Sequence, residues 1–140
     1  MPIMENSRVV CLGAAFAGLA VAGGAFGAHF LKPILDSAML AVFETAVRYQ
    51  MYHALALCIV PSIDKQHRNP SMALVGWLFT AGIVLFSGSL YVLSLTGIRW
   101  VGALTPFGGV AFIAGWVVLA CTVARRRHEP NAYKEPSASR

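Results

Sequence analysis

Charged residues are scarce in this sequence, and their scarcity decides the class of protein. Only 12 % of the 140 residues are charged, against about 25 % in ordinary soluble domains, whereas hydrophobic residues make up 57 %. A soluble domain of this size exposes most of its residues to water, so it could not hide that much apolar surface. The composition excludes an ordinary soluble domain and predicts a single-domain membrane protein.

Cysteine is also sparse, and the few cysteines lack the spacing of a disulfide framework or a metal site. Cys11, Cys58 and Cys121 lie in apolar stretches without a C-x-x-C motif, and we interpret them as small buried hydrophobic residues. His29 and His53 fall in different apolar runs, and no two histidines have the i, i+3 or i, i+4 spacing of a helical metal site. We therefore predict neither a metal nor a cofactor.

Long runs without charge predict four membrane-spanning helices. The first run starts at Val9 and continues to Ala28, which is about 30 Å of helix and enough to cross a bilayer. The second span has only 15 uncharged residues, from Tyr49 to Ile63, so it has to draw in the turns that carry Glu44 and Arg48. The predicted fold is an all-α four-helix bundle with spans at 9–30, 37–63, 72–96 and 105–124, the last opened by Thr105 as N-cap and Pro106.

The distribution of basic residues predicts the orientation. Four spans place both termini and the loop at 64–69 on one side, which carries eight basic residues: Arg8, Lys65, Arg68, Arg125, Arg126, Arg127, Lys134 and Arg140. The other side carries three: Lys32, Arg48 and Arg99. The positive-inside rule then puts both termini in the cytoplasm, with residues 1–124 as the membrane domain and 125–140 as a basic, then disordered, tail.

Two alternatives fit the sequence less well than a membrane bundle with a retained first helix. A cleaved signal peptide would explain the first apolar run, but Arg8 beside Glu5 is a thin basic region and the run is too long for a signal peptide. A nucleic-acid partner would suit the net charge of +5, but three of the basic residues form one block at 125–127, which is typical of a membrane edge. We expect a retained helix, a lipid bilayer around it and no nucleic-acid partner.

Small residues predict how the helices pack. From Gly13 to Ala28, twelve of sixteen residues are Gly or Ala, so the first helix can approach its neighbours closely. The bulky residues of that helix recur on one stripe, which we expect to face lipid or fill a gap. The residues predicted to lie at helix contacts are Gly23, Gly27, Gly76, Ser87, Gly108 and Gly115. The Gly23–Gly27 pair also fits a G-x-x-x-G dimer face, a motif of little specificity in so glycine-rich a helix.

Polar residues of all four helices fall at the same depth, in the outward half of the predicted bundle. At 100° per residue, one 180° arc of the second helix holds Glu44, Thr45, Arg48, Tyr49, Tyr52 and His53, and Glu44 and Arg48 can pair across one turn. Pairing would offset the cost of a charge in the membrane, about 2.5–3.5 kcal/mol at its centre. The predicted polar cluster consists of His29, Glu44, Arg48, Tyr49, Tyr52, His53, Tyr91 and Thr105.

Four segments carry a family resemblance. GAFGAHFLK at 24–32, FETAVRYQMYHALAL at 43–57, LFSGSLYVLSLTG at 85–97 and LTPFGGVAFIAGW at 104–116 follow one another in this order. Across residues 10–122 the chain resembles the small four-helix bacterial inner-membrane proteins called domain of unknown function number four hundred and twenty-three, which have a eukaryotic relative, transmembrane protein two-five-six. The resemblance implies the four-span architecture and the inner membrane, and no activity. LKPILDS at 31–37 departs from the polar entry to the second helix that the resemblance implies.

Two functional hypotheses remain open. In the first, the chain is a non-enzymatic structural or accessory protein whose polar cluster holds the bundle together and meets a partner, either a second copy or another membrane protein. In the second, its outward polar cluster binds or transports a small ligand, an ion or a proton, as an oligomer. We do not expect an enzyme, because the SGS segment at 87–89 lies within a predicted helix, where it has neither a base nor a strained turn.

Overall fold

The computed structural model describes residues 6–63 and 70–126 and is helical almost throughout. No strand occurs in these two ranges. Two short π-helical turns and a 3₁₀ segment interrupt or join the α-helices. In chain order the elements are α1 (Asn6–Phe26), a π turn (Gly27–Leu31), α2 (Ser37–Ile63), α3 (Pro70–Gly82), a π turn (Ile83–Ser87), α4 (Gly88–Thr96), a 3₁₀ segment (Arg99–Leu104) and α5 (Thr105–Arg126).

These elements form four rods, because α3, its π turn and α4 follow one another without a break. The rods agree with the four predicted spans, and the predicted all-α membrane fold is confirmed. Three rods are long and apolar enough to cross a bilayer, namely Ser7–Leu31, Pro70–Thr96 and Arg99–Arg125. The loop at 64–69 and the tail from residue 127 onward, including most of the predicted disordered segment, lie outside the described residues.

The rod that is not uniformly apolar is α2, and its packing explains how it can accompany the other three. It runs antiparallel to α1 along its whole length: Cys58 Sγ lies 3.9 Å from the Val10 carbonyl oxygen at one end, and the Phe43 ring covers Gly27 at the other. It also packs against the third rod, with the Tyr49 and Phe86 ring centres 4.7 Å apart. Neighbouring helices rather than lipid therefore surround the inward side of α2.

The third rod and α5 are a second antiparallel pair with unusually close backbones. A Cβ atom placed on Gly108 would collide with the backbone nitrogen of Phe86, and one placed on Gly115 would lie 2.6 Å from the Phe79 ring. Both contacts follow from the small residues in α5, as expected where van der Waals packing holds membrane helices together. Phe79, Leu57 and Val75 are the largest fully enclosed hydrophobic side chains and lie at the centre of the core.

The residues predicted at helix contacts are in the interior with one partial exception. Gly27, Gly76, Ser87, Gly108 and Gly115 are buried, and Gly23 is half-buried. The sequence did not single out Gly13 or Gly82, which are just as tightly covered, by the Ala54 carbonyl and the Phe112 ring respectively. The hydroxyl of Ser87 has no hydrogen-bond partner among the described residues.

The ends of the helices explain the segment LKPILDS. Asp36 Oδ1 accepts hydrogen bonds from the backbone N–H groups of Ala38 and Met39, both at 2.9 Å, so this aspartate caps α2. At the end of α4, Gly97 adopts a left-handed conformation with φ of 71°, and its N–H donates to Leu93. The predicted N-cap at Thr105 is wrong: Thr105 has helical backbone angles and continues from the 3₁₀ segment.

The outer surfaces of α1 and α5 are largely apolar, as a bilayer requires. Large hydrophobic side chains stand exposed on α1 and α5, including Leu19, Phe107, Val110 and Ile113. A continuous apolar surface of this kind suits lipid and would be a liability in water. The cysteines are free, but the interpretation of all three as buried is wrong, because Cys11 and Cys121 lie on this outer surface.

Candidate functional site

Gln50 connects three rods at the centre of the bundle. Its amide Nε2 donates a 2.8 Å hydrogen bond to the carbonyl oxygen of Phe16 in α1. Its Oε1 accepts a 3.0 Å bond from the hydroxyl of Tyr91 in α4. Only 5 % of Gln50 is exposed, so these partners replace the water that a buried amide would otherwise lack. The predicted cluster omitted Gln50, although it lies seven residues after Phe43 and seven before Leu57, in the middle of the buried stripe of α2.

His53 lies one turn further along α2 and is satisfied on both ring nitrogens. Nδ1 lies 2.8 Å from the Tyr49 carbonyl oxygen, and the indole Nε1–H of Trp116 donates to Nε2 at 3.1 Å. Since an indole nitrogen can only donate, Nε2 accepts and Nδ1 carries the proton, which assigns a neutral tautomer. The imidazole stacks on Phe112, with ring centres 3.4 Å apart and an interplanar angle of 8°. His53 is therefore a structural junction between α2 and α5.

A third interior contact joins the start of α4 to the start of α5. Ser89 Oγ donates to the Phe86 carbonyl oxygen at 2.9 Å and lies 2.7 Å from Thr105 Oγ1. Because the Ser89 proton is already used, Thr105 donates to Ser89. The predicted site residue Thr105 thus binds across the helix interface rather than capping its own helix.

The remaining predicted cluster residues lie on the outside. Glu44, Arg48 and Tyr52 are exposed on the surface of α2, and His29 is exposed near the end of the α1 rod. Tyr49 stands between the two groups, 41 % exposed with its ring against Phe86. The structure therefore divides the predicted cluster into an inner set, around Gln50 and His53, and an outer set.

Glu44 and Arg48 do not form the ion pair that their spacing predicts. Arg48 Nε instead donates to the main-chain carbonyl of Glu44 at 3.3 Å, and Arg48 Nη2 donates to Thr45 Oγ1 at 3.3 Å. The Glu44 carboxylate makes neither a hydrogen bond nor an ion pair within the part of the chain that the structure describes. A guanidinium held by two long hydrogen bonds leaves most of its donors available.

A shallow groove runs beside these charges, between α1 and α2. It measures about 190 Å³, and its walls are mostly apolar, with one carboxylate and one guanidinium at the edge. The lining residues are Gly24, Gly27, Phe43, Glu44, Val47 and Arg48. Within residues 6–63 and 70–126, no group of three His, Cys, Asp or Glu side chains comes close enough to hold a metal ion.

Comparison with known families now decides what kind of protein this is. The model described as "Protein of unknown function (DUF423)" matches residues 23–109, more than half of the chain. This chain belongs to that family. The resemblance seen in the sequence is therefore confirmed, and the matched range contains all eight residues of the predicted polar cluster as well as Gln50.

Individual relatives support the same assignment. The UPF0382 membrane protein YwdK of Bacillus subtilis is 50 % identical over 117 residues, which cover 83 % of this chain and 95 % of the relative. The UPF0382 membrane protein SSP2132 of Staphylococcus saprophyticus is 51 % identical over 110 residues, covering 79 % and 91 %. No solved structure matches the chain. The names of these DUF423 relatives state a membrane protein and no activity.

Proposed function

We propose that this DUF423 protein is a non-enzymatic accessory protein of the bacterial inner membrane. It docks a membrane partner through the side of α2 that points away from the bundle. The observation that carries the proposal is the contrast between satisfied interior polar groups and uncompensated outer charges. The polar atoms of Gln50 and His53 all have partners within the bundle: Phe16 and Tyr91 for Gln50, Tyr49 and Trp116 for His53. Glu44 and Arg48 have no equivalent partners within the described chain, so a partner outside it would neutralise them.

The interior polar groups favour a structural rather than a catalytic role. The two serines of the SGS segment lie in a helical rod, and Ser89 bonds to Phe86 and Thr105 rather than to a histidine. His53 has no lone pair left for a substrate proton, because Trp116 donates to it. A general base needs a free acceptor in reach of the reacting group, and this arrangement offers none at His53.

The proposed orientation places both termini in the cytoplasm, in keeping with eight basic residues on that side against three on the other. Single cysteines at Lys32 and Lys65, in a variant whose native cysteines are replaced by alanine, test it with a membrane-impermeant maleimide. We expect intact cells with a permeabilised outer envelope to label the Lys32 position only, and lysed membranes to label both. Labelling of both positions from the same face would contradict the four-span orientation.

The docking role is tested by removing the charges without removing side-chain volume. We expect the double variant Glu44→Gln, Arg48→Met to insert into the membrane and to keep a free energy of unfolding within about 0.5 kcal/mol of the wild type, because no intramolecular ion pair is lost. A photo-crosslinker at Tyr52 should give an adduct of one defined mass in wild-type membranes, and the double variant should lose it. A crosslinker at Ile113, on the exposed side of α5, is the matched control.

A second candidate function follows from the groove between α1 and α2. Its apolar walls and edge charges suit a small amphiphile whose polar end meets Arg48. Native mass spectrometry of the protein released from membranes would then show one bound small molecule per chain, absent from the same double variant. Retention of a small molecule without any crosslinked adduct would favour this binding role over docking.

A further inference from the structure

Most exposed residues of α2 form one seam that runs along the helix; Ser37, Ala38 and Tyr49 are also exposed but are not counted in it. The seam consists of Ala41, Glu44, Arg48, Tyr52, Leu55, Ile59 and Ser62. Their spacing of 3, 4, 4, 3, 4 and 3 is that of a face on which a second, nearly parallel helix packs. Tyr52, Leu55 and Ile59 are each at least half exposed, so no element of the described chain covers the seam.

The depth of the two charges makes this face unlike an ordinary lipid-facing surface. About 30 Å of hydrocarbon corresponds to 20 helical residues, and 20 residues counted back from Ile63 reach Glu44. Glu44 therefore lies just inside the outer boundary, and Arg48 lies one turn, about 6 Å, deeper. Ionised side chains at this depth normally face a protein interior or meet a partner of opposite charge.

We infer that a second copy of this chain covers the seam, as a two-fold dimer with its axis along the membrane normal. This inference rests on the proposed docking function and names its partner. In such a dimer the two α2 helices are parallel, so the Glu44 carboxylate of each copy can meet the Arg48 guanidinium of the other, one turn deeper. Symmetry forms both pairs at once, as in any isologous interface. All four charges are then compensated.

A lipid headgroup accounts for the face less well. A phosphate would pair with Arg48 but would stand one turn from the Glu44 carboxylate, which it would repel and leave uncompensated. A second copy supplies both signs at the matching heights. The groove beside the seam has glycines, Gly24 and Gly27, on its α1 wall, so the approach of a second helix is not blocked from that side.

Charge reversal on separate copies tests the dimer directly. Glu44→Arg makes the seam doubly positive and Arg48→Glu makes it doubly negative, so each variant alone should lose the dimer. Two differently tagged variants expressed together restore both ion pairs in the mixed dimer. We expect co-purification in mild detergent to fall about three- to tenfold for each variant with itself, and to return to the wild-type value for the mixture.

Cross-linking in membranes gives an independent readout. A single cysteine at Ala41, with Cys11, Cys58 and Cys121 replaced by alanine, should form a disulfide dimer on mild oxidation, whereas one at the exposed Val110 of α5 should not. The mixed charge-reversed pair should cross-link at Ala41 as wild type does. Equal cross-linking at the two sites, or no preference for the mixed pair over the single variants, would overturn the dimer.

The dimer and the docking function can fail separately. A charge-dependent adduct between Tyr52 and a different protein, with no Ala41 disulfide dimer, overturns the dimer and leaves the docking function standing. Both charge-reversed variants could fail to fold even though the Glu44→Gln, Arg48→Met variant folds as wild type does. In that case the Ala41→Cys cross-link is measured in the protein that keeps Glu44 and Arg48. Absence of the wild-type disulfide then overturns the dimer, and its presence supports it.

Discussion

The buried and exposed faces of α2 both carry polar side chains, but only those on the buried face have hydrogen-bond partners in other helices. Inside, both polar atoms of the Gln50 amide bond to neighbouring rods, and His53 bonds to Trp116 of α5 through Nε2 and to the Tyr49 carbonyl of its own helix through Nδ1. Outside, Glu44 and Arg48 bond to nothing beyond their own helix in the described chain. The same helix thus holds the bundle together with one face and presents charge to its surroundings with the other. Mutations on matched positions can separate these roles.

The largest difference between the faces is expected at His53. His53→Ala removes a ring stacked on Phe112 and leaves the Trp116 N–H unpaired, so we expect a loss of about 3 kcal/mol in the free energy of unfolding. Tyr52→Ala, one residue away on the exposed side, is the control and should cost under about 1 kcal/mol in the dispersed monomer. SDS titration of the purified proteins measures both. Equal losses would mean that the inner face is not the one that holds the fold.

A smaller effect is expected from the bond between Gln50 and Tyr91. A double-mutant cycle with Gln50→Leu and Tyr91→Phe should give a coupling energy of about 1 kcal/mol, the usual size of an interhelical hydrogen bond in a membrane. The cycle of Glu44→Leu with Arg48→Leu is its outer counterpart and should give a coupling near zero within one monomer, because no ion pair joins them. A larger coupling on the outer pair would reverse the assignment of the faces.

The smallest effect is expected from the hydroxyl of Thr105. Thr105→Val removes its bond to Ser89 across the α4–α5 contact while keeping the shape of the side chain, which should cost about 0.5–1 kcal/mol. Thr45→Val is matched in chemistry, but the Thr45 hydroxyl bonds only within α2, donating to Ala41 and accepting a long bond from the exposed Arg48, so its loss should leave stability nearly unchanged. Thermal unfolding in detergent compares the two. A greater loss for Thr45 would show that contacts within α2 outweigh those between helices.

The lengths and order of the helices could be predicted from sequence, whereas the inward side of α2 could not. Runs such as Val9–Ala28 are limited by bilayer thickness, which converts directly into a residue count. In α2 the polar residues occur on both sides, so polarity did not distinguish a core position such as Gln50 from a surface position such as Arg48. Lipid is as apolar as a protein core, so the contrast that orients helices in water is missing here.

Contacts that join several helices could not be predicted from the sequence either. The acceptor of the Gln50 amide is a backbone carbonyl of Phe16, 34 residues away, which no local pattern reveals. The cap at Asp36 was visible in principle, since Asp before a helix is a common N-cap, but the apolar character of LKPILDS concealed it. The helix-contact glycines were predictable because their role depends on size alone.

The π turn in the third rod determines the angle, about the helix axis, at which the side chains of α4 project. Within Ile83–Ser87 the chain uses a wider turn than an α-helix, so α4 starts at a different angle from the one that α3 alone would dictate. If the same residues formed a regular α-helix instead, α4 would be rotated by up to about 100°, the angle of one residue. Tyr91 would swing away from Gln50 and Ser89 away from Thr105 in the same movement. One wide turn therefore sets the orientation of two interhelical contacts at once, one from α4 to α2 and one from α4 to α5.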